Sequence, residues 1–221
     1  MSYITNLPVN GKFNVTGIFG QKGSMWKTYH KGVDITAEDK KLYALCDGEV
    51  TYTGYDAGGW GYYVSVMPKG FDRIRIILCH MVKGSIKVKK GDKVSRTTIL
   101  GTMGTTGNST GVHVHVEMRI DNESVDPTPY LKIANKVAAG LIDTNYKTTA
   151  SESNEILQEM INKFDGKTEP ATDYKALYEQ KKAEISKLEA EADKLKAEIA
   201  ELTADNAALN KKISTAKAAL N

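Results

Sequence analysis

Four histidines, His30, His80, His113 and His115, are the whole imidazole supply of this 221-residue chain, and their settings point to one piece of chemistry. In Val112-His113-Val114-His115-Val116-Glu117 apolar and polar residues alternate strictly. On a strand, His113, His115 and Glu117 therefore share one face and the valines the other. Two imidazoles two positions apart can reach one small volume, one as a ligand and the other as its neighbour. Taken alone, the motif reads more readily as a polar face on an exposed edge strand than as a metal site. A second element, His30-Lys31-Gly32-Val33-Asp34, adds an imidazole and a carboxylate four positions apart. Gly32, Val33 and Ile35 favour a loop entering a strand there over a helix. An imidazole, a carboxylate and a further imidazole make a donor set that suits Zn²⁺. Three protein ligands leave the fourth tetrahedral position to water, as in a catalytic zinc site, whereas a structural site is closed by four side chains, typically with thiolates.

The elements that must position these groups read as strands. Seventeen of the 19 glycines precede residue 112 and are interleaved with short runs rich in Val, Ile, Thr and Tyr, the pattern of an antiparallel β domain. Strands are expected at Glu49–Thr53 after Asp47-Gly48, Tyr62–Met67 after Gly58-Gly59, Arg73–Cys79 after Pro68-Lys69-Gly70, and Ile99–Met103 before a Gly/Thr/Asn/Ser loop. No intervening helical pattern offers the crossovers that parallel strands need.

From Ala134 the composition turns to Ala, Asn, Lys and Glu. Ile156, Leu157, Met160, Ile161 and Phe164 then fall on one face of a short amphipathic helix over Ser153–Phe164. Gly166 and Pro170 mark a break, and from Asp173 to Asn221 there is neither Gly nor Pro. That last stretch carries a heptad pattern: Ile185, Leu188, Ala192, Leu195, Ile199, Leu202, Asn206, Leu209, Ile213, Ala216 and Leu220. Ile at a with Leu at d, and a lone Asn206 at a, favour a parallel two-stranded coiled coil. Across such a dimer Glu191 meets Lys196 favourably, whereas Glu184 meets Glu189. The same spacing would serve a helix folded back on Ser153–Phe164. The expected organisation is thus a β domain over 1–133 that carries the metal-binding motifs, a linker with a short helix over 134–172, and a coiled coil over 173–221.

Composition narrows the function classes. A net charge of +3 is too small to argue for nucleic acid, and no apolar run is long enough to span a membrane. The N-terminal residues MSYITNLPVNGKFNV lack the charged head and apolar run of a secretory signal. Cys46 and Cys79 lie in apolar strand-like runs, which fits buried thiols in a reducing compartment.

Residues from about Phe13 to Leu131 resemble the lysostaphin-type (LytM-like) zinc endopeptidases that cut peptidoglycan peptides. The motifs stand in the family's order: His30-Lys31-Gly32-Val33-Asp34-Ile35, Cys46-Asp47-Gly48-Glu49-Val50, Gly59-Trp60-Gly61-Tyr62-Tyr63-Val64, Leu78-Cys79-His80, Lys90-Gly91-Asp92-Lys93-Val94, Gly104 to Gly111, His113-Val114-His115, and Val125 to Leu131. The resemblance implies that His30, Asp34 and His115 hold the zinc, with His80 and His113 beside it as the catalytic pair. It also implies a small antiparallel sheet with a groove across it. Val112 departs from the family's proline, which touches loop stiffness and not ligation. Cys79 stands where a smaller apolar residue is usual, and strand alternation would turn it away from His80. No His-Glu-x-x-His sequence offers a glutamate base, so proton transfer falls to the histidines, with His113 taking the water's proton and His80 serving the oxyanion. One of Tyr62 and Tyr63 is expected to face the groove, and Glu117 is a candidate to orient a ligand histidine.

Peptidoglycan peptides are then the expected substrate. The expected setting is synthesis in a bacterial host cytoplasm followed by action at the wall, as a phage endolysin released at lysis or as a virion-associated tail lysin docked through the coiled coil. An exported bacterial enzyme is the third setting. The competing class is a non-enzymatic wall-binding or activator module.

Overall fold

The computed structural model describes residues 4–23, 28–143 and 147–166, and in the C-terminal part residues 187, 190–196, 198–200, 202–203, 205–207 and 209–213. The chain divides into two compact units, residues 1–167 and 168–221. The first is mainly β, as expected. Its strands are β1 (Ile4–Thr5), β2 (Lys12–Gly17), β3 (Val33–Ala37), β4 (Lys41–Tyr43), β5 (Gly48–Asp56), β6 (Gly61–Pro68), β7 (Ile74–Met81), β8 (Lys93–Val94), β9 (Ile99–Thr102), β10 (Val114–Ile120), β11 (Glu123–Val125), β12 (Ala138–Ile142) and β13 (Lys147–Thr148). Two helices, α1 (Thr128–Leu131) and α2 (Ala150–Phe164), complete the described elements of this unit. Among the described residues, one antiparallel sheet runs in the order β12-β2-β3-β10-β7-β6-β5-β8, with β11 hairpinned onto β10.

Strand alternation decides what each face of this sheet carries. On β10 the residues Val114, Val116, Met118 and Ile120 are all buried on the core face. Their partners match: Ile35 and Val33 on β3, and Leu78, Ile76 and Ile74 on β7. Val64 and Val66 of β6 extend the layer against Leu78 and Ile76. Each such side chain contributes roughly 1.5–3 kcal/mol by leaving water, so a one-residue slip of β10 would be heavily penalised. That penalty fixes the opposite face, His115, Glu117 and Arg119, with the same certainty. Asp121 and Asn122, both with positive φ, make the two-residue turn into β11 that the twist of a hairpin favours.

The four expected strands are present, each shifted or extended by only a few residues. The short helix is also present, and it starts earlier than its apolar face suggested. Thr149 accepts from the Glu152 N–H while Glu152 accepts from the Thr149 N–H, a capping box that sets the first turn at Ala150. Residues 134–166, expected as linker, instead add β12, β13 and α2 to the first unit. The reason is burial: Leu157 and Ile161 enter the core, with Ile156, Met160 and Phe164 packed against it. Arg73 ties down the far end of α2 by pairing with both Asp165 and Asp121.

In the second unit the described residues are helical, and Leu195, Ile199, Leu202, Leu209 and Ile213 are exposed. Ile185, Leu188, Ala216 and Leu220 of the heptad pattern lie outside the described residues. No described helix is long and apolar enough to cross a membrane.

Candidate active site

Register brings the first two groups together. His115 of β10 is directly paired with Asp34 of β3, and His30 approaches from the loop before β3. The His30 N–H bonds to Gln21 O, and Gly20 N–H bonds back to His30 O, so the loop is clamped on both sides. Two glycines make the close approach possible. A Cβ on Gly17 would lie 2.3 Å from Asp34 Oδ2, and one on Gly32 would lie 2.2 Å from Val116 O and 2.8 Å from the His115 ring.

The hydrogen bonds fix which atoms are turned inward. His30 Nδ1–H donates to Ile18 O at 2.8 Å, so Nε2 is the nitrogen turned to Asp34. His115 Nε2–H donates to Glu117 Oε2 at 3.4 Å, so Nδ1 is the nitrogen turned to Asp34. These two inward nitrogens are 2.9 Å apart, and Asp34 Oδ1 lies 3.1 Å from the first and 3.0 Å from the second. Three lone-pair atoms thus converge, with all three ligand positions within 4.8 Å of one another. Such a set is stable only around positive charge. The same demand appears in the ionisation of the groups. Burial opposes charge on His115, yet its hydrogen bonds to Asp34 and Glu117 raise its proton affinity to a pKa of about 9. Burial also opposes charge on Asp34, but bonds to His115 and His30 hold its carboxyl well below the usual range. Glu117, against the same desolvation, is drawn down to about 2 by His115 and Arg119. The donor chemistry fits a divalent cation such as zinc, which would replace the proton.

His80 and His113 sit beside this cluster and are oriented in the same way as each other. His113 Nδ1–H donates to Gly111 O at 2.8 Å, and its Nε2 is 3.5 Å from Asp34 Oδ1. His80 Nδ1–H donates to Thr106 O at 2.8 Å, and its ring centroid is 4.7 Å from that of His113 and 5.9 Å from that of His115. Burial pushes the His80 pKa down to about 4, so its Nε2 rests unprotonated. Both acceptor carbonyls belong to the loop 104–111. Thr106 anchors that loop, its hydroxyl donating to Met81 O and accepting from the Tyr62 N–H.

All five residues expected at the site are therefore together. Cys79 is buried, as expected. His80 has a φ of +62°, a left-handed conformation that interrupts strand alternation at that point. Cys79 is fully buried within electrostatic reach of Glu117 and Asp34, which add to the rise in its thiol pKa caused first by burial. It is not part of the convergent donor group. Of the two tyrosines, Tyr63 packs edge-on against Trp60, and Tyr62 lies tilted against Tyr55.

Trp60 and Arg119 were not visible as site residues from sequence. Trp60 Nε1–H donates to Glu117 Oε2 at 2.9 Å, and its carbonyl accepts from the His80 N–H. Glu117, 1% exposed, also accepts from Arg119 Nε and from the Ser124 hydroxyl. The Arg119 guanidinium lies 4.8 Å over the Trp60 ring. Glu117 thus orients His115 from behind, the role considered for it from the sequence.

A sheet floor carrying a buried His/Asp/His cluster with two further imidazoles is the makeup of a metallopeptidase domain. Residues 28–127, a little under half of the chain, match the model of Peptidase family M23. The chain is 35% identical over 103 residues to an uncharacterized metalloprotease of Haemophilus influenzae, covering 44% of this chain and 20% of that protein. It is 32% identical over 117 residues to the DD-carboxypeptidase/endopeptidase Mpg of Neisseria meningitidis, covering 49% and 26%. The glycyl-glycine endopeptidase ALE-1 of Staphylococcus capitis is 30% identical over 128 residues, covering 54% and 34%. The matched segment thus spans between a fifth and about a third of these relatives' lengths.

Proposed function

We propose that the chain is a zinc-dependent peptidoglycan endopeptidase, with His30, Asp34 and His115 as zinc ligands and His80 and His113 as its catalytic histidines. The observation that carries this reading is the convergence of His30 Nε2, His115 Nδ1 and Asp34 Oδ1, the two rings being tied by their other nitrogens to Ile18 O and Glu117, with two further imidazoles alongside. Similarity to Mpg, a DD-carboxypeptidase/endopeptidase, and to ALE-1, a glycyl-glycine endopeptidase, supports the substrate class.

When bound, zinc would supply Lewis-acid polarisation of a carbonyl and water acidified to a pKa of about 7. The chain's own groups do the rest. His113, with Nδ1–H held by Gly111 O, accepts the attacking water's proton at Nε2. His80, with Nδ1–H held by Thr106 O, can donate from Nε2 only after gaining a proton there. That proton comes from solvent as the developing oxyanion raises the ring's affinity for it, and His80 then serves the oxyanion as an imidazolium. Glu117 holds His115 in the tautomer that presents Nδ1.

The test pairs two measurements on the purified chain: zinc content, and mass spectrometry of fragments released from bacterial peptidoglycan. Zinc-dependent release of cleaved peptides is expected, and cleavage insensitive to chelators would contradict the reading. The filled constellation speaks against the non-enzymatic alternative, a wall-binding or activator module.

The exposed stripe Leu195, Ile199, Leu202, Leu209 and Ile213, with Asn206 in register, supports pairing of the C-terminal helix with a second copy as a parallel dimer, or docking on a virion assembly. Sedimentation equilibrium tests the dimer. A phage endolysin would appear only in lysates, and a tail lysin in purified particles.

A further inference from the structure

The face of the sheet that carries Glu117 also carries a row of aromatic rings. Register places them: Tyr52 of β5 pairs with Ser65 of β6, Ser65 with Ile77 of β7, and Ile77 with Glu117 of β10, so Tyr52 and Glu117 project from one face. Tyr63, two residues before Ser65 on β6, shares that face. The rings touch in series. Trp60 donates to Glu117 and meets Tyr63 edge-on with 4.9 Å between centroids, and Tyr63 lies nearly parallel to Tyr52, with 20° between planes and 5.7 Å between centroids. Gly54, paired with Tyr63, leaves the room for this: a Cβ there would lie 2.7 Å from the Tyr52 ring and 3.3 Å from that of Tyr63. Tyr52 is nevertheless 54% exposed, and Trp60 and Tyr63 are half-buried. Contiguous apolar surface kept in water beside a reactive cluster marks a ligand contact.

The spacing and the chemistry of the row both select its occupant. Three inter-strand steps of about 4.8 Å separate β5 from β10, which puts Tyr52 roughly 14 Å from Glu117 and Tyr63 nearer. With the bond to be cut at the histidine cluster, three or four extended residues of a stem peptide span roughly 10–14 Å, so the sugar that bears the stem falls over Tyr63 and Tyr52. The stem offers small side chains, whereas a pyranose ring presents a flat face of polarised C–H bonds. Aromatic faces carry the negative pole of a quadrupole and attract such groups.

We propose that Tyr52 and Tyr63, with Trp60 at the inner end, form a stacking platform for a pyranose ring of the glycan strand whose stem peptide is being cut. This rests on the peptidoglycan reading of the site and adds that the sugar is read together with the peptide.

Two ligands test it: a synthetic stem peptide, and the same peptide joined to a disaccharide of N-acetylated amino sugars. Binding to the metal-free full chain is read by calorimetry, where no cleavage intervenes. The wild type should bind the disaccharide-peptide about tenfold more tightly than the bare peptide. Tyr52→Ala should abolish that preference by weakening only the sugar-bearing ligand, and Tyr52→Phe should keep it, because the ring and not the hydroxyl stacks. A role confined to covering Gly54 would change both ligands alike and leave the preference in place. Equal binding of the two ligands by the wild type, no binding of the disaccharide-peptide, or an unchanged preference in Tyr52→Ala would overturn the platform. If the preference is present but the zinc-loaded chain releases no cleaved peptide from peptidoglycan, the peptidase reading fails while the platform stands. If cleavage occurs and the preference is absent, the platform alone fails.

Discussion

The two halves of the candidate site are built on different principles. His30, Asp34 and His115 are placed by strand register and by glycines that clear the approach, with Glu117 packed behind them at 1% exposure. His80 and His113 are placed by two carbonyls of one loop, and one of them holds a left-handed backbone conformation. The first half inherits its rigidity from the core on the other face of the same strands. The second depends on how the loop 104–111 is pinned. Binding and turnover should therefore respond to different mutations.

The largest expected effect is on the register-held half. His115→Ala removes a donor and should eliminate zinc binding and bring hydrolysis to background, as a chelator should in the wild type. Metal analysis and fragment release read both. His113→Ala should keep zinc while turnover falls by about 10²–10⁴-fold, the usual range for a lost acid–base group. If zinc left with His113, the division between the halves would be wrong. Glu117→Gln sharpens the comparison from behind. Zinc affinity should drop by about 10–100-fold in competition titrations, with turnover recovering at high zinc. Thr106→Val removes both hydroxyl bonds that pin the loop but not the carbonyl that meets His80. About a tenfold loss of turnover at unchanged zinc affinity is expected.

The smallest effect lies away from both halves. Burial, partly offset by Arg96 and reinforced by Asp47, pushes the Cys46 thiol from 9.0 up to about 12. Above pH 9 the unfolded chain releases a proton that the folded chain keeps. Stability from this group is whole below pH 9 and is lost as pH rises toward 12, by at most about 1.4 kcal/mol per unit. Cys46→Ala should flatten that alkaline decline in denaturant titrations, and an identical slope would place its cause elsewhere.

Much of the register-held half was legible in the sequence because alternation is a local rule. His113, His115 and Glu117 could be put on one face from six consecutive residues. The pairing of His115 with Asp34 joins positions 81 apart, and only the family resemblance linked them before the sheet order was known. Trp60 was invisible as a site residue for the same reason, its bond to Glu117 crossing 57 positions. Cys79 could be read as buried from its apolar run, whereas the positive φ of His80 is announced by no residue type. The start of α2 is set by Thr149 and Glu152, which lie ahead of its apolar face, and its place in the core depends on contacts far along the chain.

Cobalt substitution tests the central claim most directly, because the visible bands of Co²⁺ report a tetrahedral donor set without requiring turnover. The wild type and His113→Ala should both take up the metal with tetrahedral bands, and His115→Ala should show neither uptake nor bands. Retention of the bands in His115→Ala, or their absence in the wild type, would contradict the assignment of His30, Asp34 and His115 as the metal-binding half.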